Sequence, residues 1–183
     1  MSDKIDKAIK FATNAHKNQR RKTTGEPYIV HPVSVMNIVC RYTDDEDIVC
    51  AAVLHDTIED TPTSAEDIEN CFGEKIKNIV VQESEPDKNW SWEQRKQHTI
   101  NRIECCNDKG CLLIACADKL DNLNCCLHAK KEIGDDVWKH FKRGYKDQKW
   151  YHTSLLKAFK KQMPDCKIVD EYESVVNELF NKD

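Results

Sequence analysis

The sequence predicts an all-α chain, and three observations carry that prediction. Glycine and proline are sparse, five of each in 183 residues, so few breakers interrupt the chain. Apolar residues recur at three- and four-residue spacing through most of its length, the period of one helix face. Evenly spaced short alternating segments, the mark of many strands, are missing. The length suffices for one domain with a proper core. Residues 1–183 read as a single domain, without internal repeat, linker or low-complexity segment.

Composition narrows the function classes. A net charge of −4, with 33% charged residues, argues against a general nucleic-acid binder while leaving room for a local basic pocket. The first residues are charged and lack the apolar core of a signal peptide. No apolar run approaches the ~18 residues of a membrane span. A soluble, cytoplasmic protein is expected, with neither nucleic acid nor membrane as partner. Of the ten cysteines none forms a C-x-x-C pair, and most sit among apolar residues, as Cys116 does after Leu112, Leu113, Ile114 and Ala115. They read as reduced, small core residues.

Each element can be justified in order. Residues 2–18 carry an apolar stripe of Ile5, Ala8, Ile9, Ala12 and Ala15. Arg20, Arg21 and Lys22 then lead into a loop through Pro27, readable as a solvated surface or as an anion clamp. Pro32 suits the first turn of a helix and pushes His31 before it towards extended geometry. Thr43 with Glu46 has the form of a capping box, and the helix it predicts runs through Ile48, Val49, Ala52 and Val53 into His55-Asp56, ending at or near Pro62. Further helices are expected over 64–72, 74–83 and 91–107, with a break at 84–89 and a turn at 107–110. A second long apolar helix covers about 111–130. After Ile133 comes a segment with Trp138, Phe141, Tyr145, Trp150 and Tyr151, expected in the core, beside an exposed basic face. A last helix covers about 167–181.

Two of these helices carry residues that apolar packing does not explain. His55, Asp56, Glu59 and Asp60 follow a buried run, and uncompensated carboxylates at a helix C-terminus oppose the helix dipole. A divalent cation would relieve both problems. Asp118 stands inside the second apolar helix, either paired with a basic side chain or serving as a ligand. Asn122 shares its face and Asp121 is turned part-way round. Together His31, His55, Asp56 and Asp118 offer two imidazoles and two carboxylates, a set suited to Mn²⁺, Fe²⁺ or Zn²⁺ rather than Ca²⁺. Such an ion yields hydroxide near neutral pH. Glu59 and Asp60 can handle the proton, and the basic segment from Arg20 to Lys22 can hold phosphate. The chemistry that fits is metal-assisted hydrolysis of a phosphate ester.

His31, His55-Asp56 and Asp118 resemble the ligand set of the HD superfamily of metal-dependent phosphohydrolases, helical bundles. Arg21-Lys22, Gly25-Glu26-Pro27-Tyr28-Ile29-Val30-His31-Pro32, His55-Asp56-Thr57-Ile58-Glu59-Asp60-Thr61 and Ala117-Asp118-Lys119-Leu120-Asp121-Asn122-Leu123 more narrowly resemble the hydrolase domain of the RelA/SpoT alarmone enzymes. The resemblance covers about residues 1–160, at the scale of the stand-alone small alarmone hydrolases that include the metazoan SpoT homologue. It implies Mn²⁺ on His31, His55, Asp56 and Asp118, and Glu59 with Asp60 activating water. It implies Arg21 and Lys22 on the nucleotide and Asn122 near the ribose or 3′ phosphate. The implied reaction converts (p)ppGpp and water to GDP or GTP and pyrophosphate. Other substrates considered are NADPH and nucleoside phosphates, and a metal-binding module without turnover is a further reading. Two departures from the family pattern bear on substrate choice: the loop from Lys22 to Gly25 is one residue longer, and Asn124-Cys125 stand where an Arg and a small polar or acidic residue are usual.

Overall fold

The computed structural model describes residues 2–21, 25–84 and 89–180, and among these no strand is formed. Helix α1 spans Asp3–Ala15. Ser2 caps it by accepting from the Ile5 amide, and Asp3 and Asp6 complement the dipole of its first turn. Ala8 and Ala12 are fully buried, so α1 lies close against α3.

Helix α2 spans Val30–Val39. It begins before Pro32, which corrects the expectation that His31 would stay extended. Proline is tolerated there because the first-turn N–H groups have no intrahelical acceptor, and His31 therefore rides on a rigid helix.

The helix expected to run unbroken to Pro62 is two. Helix α3 spans Glu46–Leu54, and α4 is a single turn, Thr57–Asp60. Side chains cause the break. His55 Nδ1 lies 2.8 Å from the Ala52 carbonyl, and Thr57 Oγ1 donates to the Leu54 carbonyl at 2.7 Å, so two acceptors of the last turn are taken. Glu59 and Asp60 thus do not end a long helix. The cap of α3 is Asp45, which accepts from the Asp47 amide at 2.9 Å, and Thr43 instead accepts from the Asp45 amide, so the expected Thr43–Glu46 box does not form.

Helices α5 (Ala65–Phe72) and α6 (Glu74–Glu83) are joined by Gly73, whose φ of 92° favours glycine. Residues 85–88 of the expected break lie outside the described residues. Helix α7 (Trp92–Cys105) starts with a reciprocal Ser91–Gln94 capping box. Helix α8 (Lys109–Ile133) begins inside the expected turn, because Asp108 Oδ1 accepts from the amides of Gly110 and Cys111. After Gly134 come a 3-10 helix (Gly134–His140), α9 (Tyr145–Gln162) and α10 (Lys167–Phe180). The final helix thus matches its prediction to residue 180.

Helix α8 organises the molecule. It packs against α2, α3, α6, α9, α10 and the 3-10 helix, and its side chains are buried on nearly every face from Cys111 to Leu120. That explains its continuous apolar run: a helix surrounded on all sides has no polar face to keep. Of the expected aromatic core, Trp138 and Tyr151 are buried, while Trp150 is exposed. All ten cysteines are unpaired, four of them buried and Cys40 and Cys105 exposed. No described helix is long and apolar enough to cross a membrane.

Candidate metal centre

Three elements meet at one point: the first turn of α2, the α3–α4 break and the middle of α8. They bring His31, His55 and Asp118 together, all buried, with one potential ligand atom from each within 4.8 Å of the others. His31 Nε2 lies 3.2 Å from Asp118 Oδ1 and 3.6 Å from Asp56 Oδ2. His55 Nε2 lies 3.1 Å from Asp56 Oδ2, without the alignment of a hydrogen bond, and is a buried nitrogen with no hydrogen-bond partner.

The far side of each ring explains this convergence. His55 Nδ1 faces the Ala52 carbonyl, and His31 Nδ1 lies 2.6 Å from Asp121 Oδ2. A carbonyl and a carboxylate only accept, so each Nδ1 donates and each neutral ring turns its Nε2 lone pair inward. Two inward lone pairs beside carboxylate oxygens repel one another unless a cation stands between them. The residues therefore fit a divalent metal with nitrogen and oxygen ligands.

The electrostatics agree. Burial disfavours an imidazolium at His55, yet Asp56 and then Asp118 outweigh it and raise its pKa to about 10. Burial likewise opposes charge on His31, and Asp118 and Asp121 overcome it. Burial penalises the carboxylates of Asp56 and Asp118 too, but the facing cations hold both below the usual range. The same carboxylates that favour a charged imidazole would favour a metal cation between the rings.

Asp118 unites the two readings its sequence left open. Its Oδ2 accepts from Lys119 at 2.5 Å while Oδ1 faces His31 and accepts from Asn122 Nδ2 at 2.6 Å. Asp56 Oδ2 accepts from the Tyr28 hydroxyl at 2.6 Å.

The centre forms the floor of a cavity of about 580 Å³. Glu59 and Asp60 line it, as do Arg21 and Asn122. Arg21 Nη1 reaches Asp121 Oδ2 at 3.4 Å and Nη2 reaches Asn122 Oδ1 at 3.3 Å, which docks its guanidinium on α8. Lys22 lies outside the described residues, with most of the lengthened loop. Asn124 and Cys125 are half-buried on α8, away from the cavity wall. Sequence reading missed Lys96, Arg102 and Lys119, cations of the wall, and Tyr28 and Asp121, which hold the ligand-type residues from behind. For Asp121 a signal existed: it lies three residues after Asp118, on the adjoining part of the same helix surface.

An all-helical arrangement in which imidazoles and carboxylates from three helical elements converge on one point is that of the helical bundles built round a His/Asp cluster. The HD domain family model matches residues 8–143, and the chain belongs to that family. It is similar to the guanosine-3′,5′-bis(diphosphate) 3′-pyrophosphohydrolase MESH1 of Xenopus tropicalis, at 41% identity over 122 residues, 65% of this chain and 67% of that one. It is also similar to guanosine-3′,5′-bis(diphosphate) 3′-pyrophosphohydrolase of Aquifex aeolicus, at 35% identity over 123 residues, 67% of this chain but only 18% of that protein. The fold matches a solved metazoan ortholog of SpoT, described as hydrolysing ppGpp, with a TM-score of 0.81 and 24% identity, covering 97% of this chain and 96% of that one.

Proposed function

We propose that this chain is a metal-dependent phosphohydrolase that removes the 3′-pyrophosphate of (p)ppGpp, giving GDP or GTP and pyrophosphate. One observation carries the reading: two buried imidazoles converge with Asp118 on the floor of a cavity lined by both acids and cations, and the His55 Nε2 there has no hydrogen-bond partner. Relatives 35% and 41% identical to it over the matched residues carry that activity in their names.

His31, His55, Asp56 and Asp118 would hold the ion, taken here as Mn²⁺. A bound divalent cation supplies Lewis acidity and lowers the pKa of water. Glu59 and Asp60 are the proton-handling pair: one takes the proton of the attacking water and the pair delivers a proton to the departing ribose oxygen. Arg21, Asn122 and Lys22 are assigned to the nucleotide, joined by Lys96, whose charge can help offset that of a diphosphate. The helices act as one domain, since α10 packs directly on α8 and α9. Ten unpaired thiols suit a reducing compartment, so a cytoplasmic location belongs to the same proposal.

The test is a substrate panel with Mn²⁺. Pyrophosphate release from ppGpp is expected, abolished by chelation and restored by Mn²⁺. The double variant Glu59→Ala/Asp60→Ala is expected to keep the metal and lose turnover. Cleavage of NADPH with ppGpp untouched would replace the substrate, and a metal-loaded chain inert to the whole panel would sink the enzymatic reading.

A further inference from the structure

Asp121 is neither a ligand-type residue nor one of the proton-handling pair, yet its carboxylate is held by three side chains, His31, Ser34 and Arg21. It lies on α8, buried to 7% exposure, and each of its oxygens is in use. Oδ2 accepts from His31 Nδ1 at 2.6 Å, and Oδ1 accepts from Ser34 Oγ at 2.5 Å. Ser34 is three residues after His31 on α2, so the two donors project from the same face and clamp the carboxylate between them. We propose that Asp121 is the positioning residue of the metal centre, fixing the tautomer and direction of His31 from behind and setting how strongly that ring binds the ion.

Three comparisons support this assignment over a structural one. First, Asp121 also meets Arg21, but at 3.4 Å, the margin of a hydrogen bond, whereas the bond to His31 is short and charge-assisted. Neutralising Arg21 is therefore the lesser of its two tasks. Second, the other imidazole is oriented by a backbone carbonyl, a neutral acceptor that no side-chain change removes. Only His31 has a charged acceptor behind it, and a carboxylate raises the basicity of the distal nitrogen more than a carbonyl does. Third, the contacts close a ring: Asp121 to His31, His31 Nε2 to Asp118, Asp118 to Asn122, Asn122 to Arg21, and Arg21 back to Asp121. Asp121 thereby joins the nucleotide side of the cavity to the ion, so metal affinity and nucleotide binding are expected to be coupled through it.

This inference rests on the metal-centre reading but not on any substrate, and its test needs no turnover. Metal-free full-length chain is titrated with Mn²⁺ by calorimetry. Asp121→Asn keeps the size and removes the charge, and it is expected to bind ~10–100-fold more weakly, the usual effect of removing a partner behind a ligand. Arg21→Gln, which leaves the Asp121–His31 bond in place, is expected to lose distinctly less Mn²⁺ affinity than Asp121→Asn. In ¹⁵N-histidine NMR spectra of the metal-free chain, at a pH where the rings are neutral, His31 is expected as the Nδ1–H tautomer in the parent and as a mixture in Asp121→Asn. A merely structural role would not move that signal. Parent-like Mn²⁺ affinity in Asp121→Asn overturns the proposal, as does an equal loss in Arg21→Gln. A parent chain that binds no Mn²⁺ removes the metal centre, and this inference with it. Should Asp121→Asn fail to fold, Ser34→Ala releases the carboxylate without altering its charge: weakened Mn²⁺ binding supports the proposal and unchanged binding overturns it.

Discussion

Asp56 serves three neighbours with one oxygen. Its Oδ2 takes the Tyr28 hydroxyl and faces both His55 and His31. Tyr28 is held by its ring as well, against His16 and His31. Burial and then Asp56 raise its pKa, so the hydroxyl stays protonated and a donor. Tyr28→Phe keeps the ring packing and deletes one hydrogen bond to a charged acceptor. The metal-free variant is expected to lose roughly 1.5–3 kcal/mol of stability at neutral pH, read from urea unfolding. A variant as stable as the parent would show that the bond contributes nothing. Residues like Tyr28 mark the limit of what sequence reading finds. His31, His55, Asp56 and Asp118 were legible because their types are out of place beside apolar runs. In the sequence Tyr28 stands only as part of a motif, beside Ile29 and Val30, with no role of its own. Lys96 and Arg102 looked like any cation on a polar helix, because spacing tells which face a side chain is on and not what lies across from it.

At the level of elements, the helices and their order were legible from periodicity, and the joints were not. The α3–α4 break depends on side chains capturing the Ala52 and Leu54 carbonyls, a competition that an apolar pattern does not record. The cap of α3 shows the same limit: Thr43 and Asp45 both had cap-forming side chains, and the geometry chose Asp45. A further joint is ionic. Arg102 of α7 makes a two-pronged pair with Glu83 at the end of α6, at 2.7 and 3.0 Å, and the Glu83 side chain is only 5% exposed. Burial opposes charge on Arg102, and Glu83 outweighs it. Because both groups are desolvated, losing one costs more than the pair contributes. Arg102→Met is expected to destabilise by about 3–5 kcal/mol, and adding Glu83→Met to recover most of that loss. Denaturant unfolding of the two single variants and the double variant measures the coupling. Additive losses would mean that the two helices are joined by packing alone.

The molecule as a whole gathers a charged cluster at the middle of the buried helix α8, and the groups packed nearby must adapt to that charge. His152 shows the consequence. It sits on α9, shares a hydrogen bond with the Tyr172 hydroxyl at 2.7 Å through Nδ1, and stacks on the ring of Phe180. Burial pushes its pKa down to about 3, with help from the Lys119 and Lys96 charges, and Asp118 only partly offsets them. In the unfolded chain the same imidazole titrates near ~6.5. Between those two values the unfolded chain binds a proton that the folded chain refuses, so stability falls as pH falls. His152 therefore contributes nothing to pH dependence above the unfolded value, and below it adds a loss of about 1.4 kcal/mol per pH unit, continuing down towards the folded value. His152→Gln keeps an acceptor for Tyr172 and cannot take up a proton. Unfolding free energies of the metal-free chain, from urea titrations at about pH 7, 6 and 5, are expected to fall more steeply for the parent than for His152→Gln, by about that slope below the unfolded value. Equal slopes would mean that the ring already accepts a proton in the fold. The bundle between α8, α9 and α10 would then be open enough to solvate a charge a few residues from the metal centre.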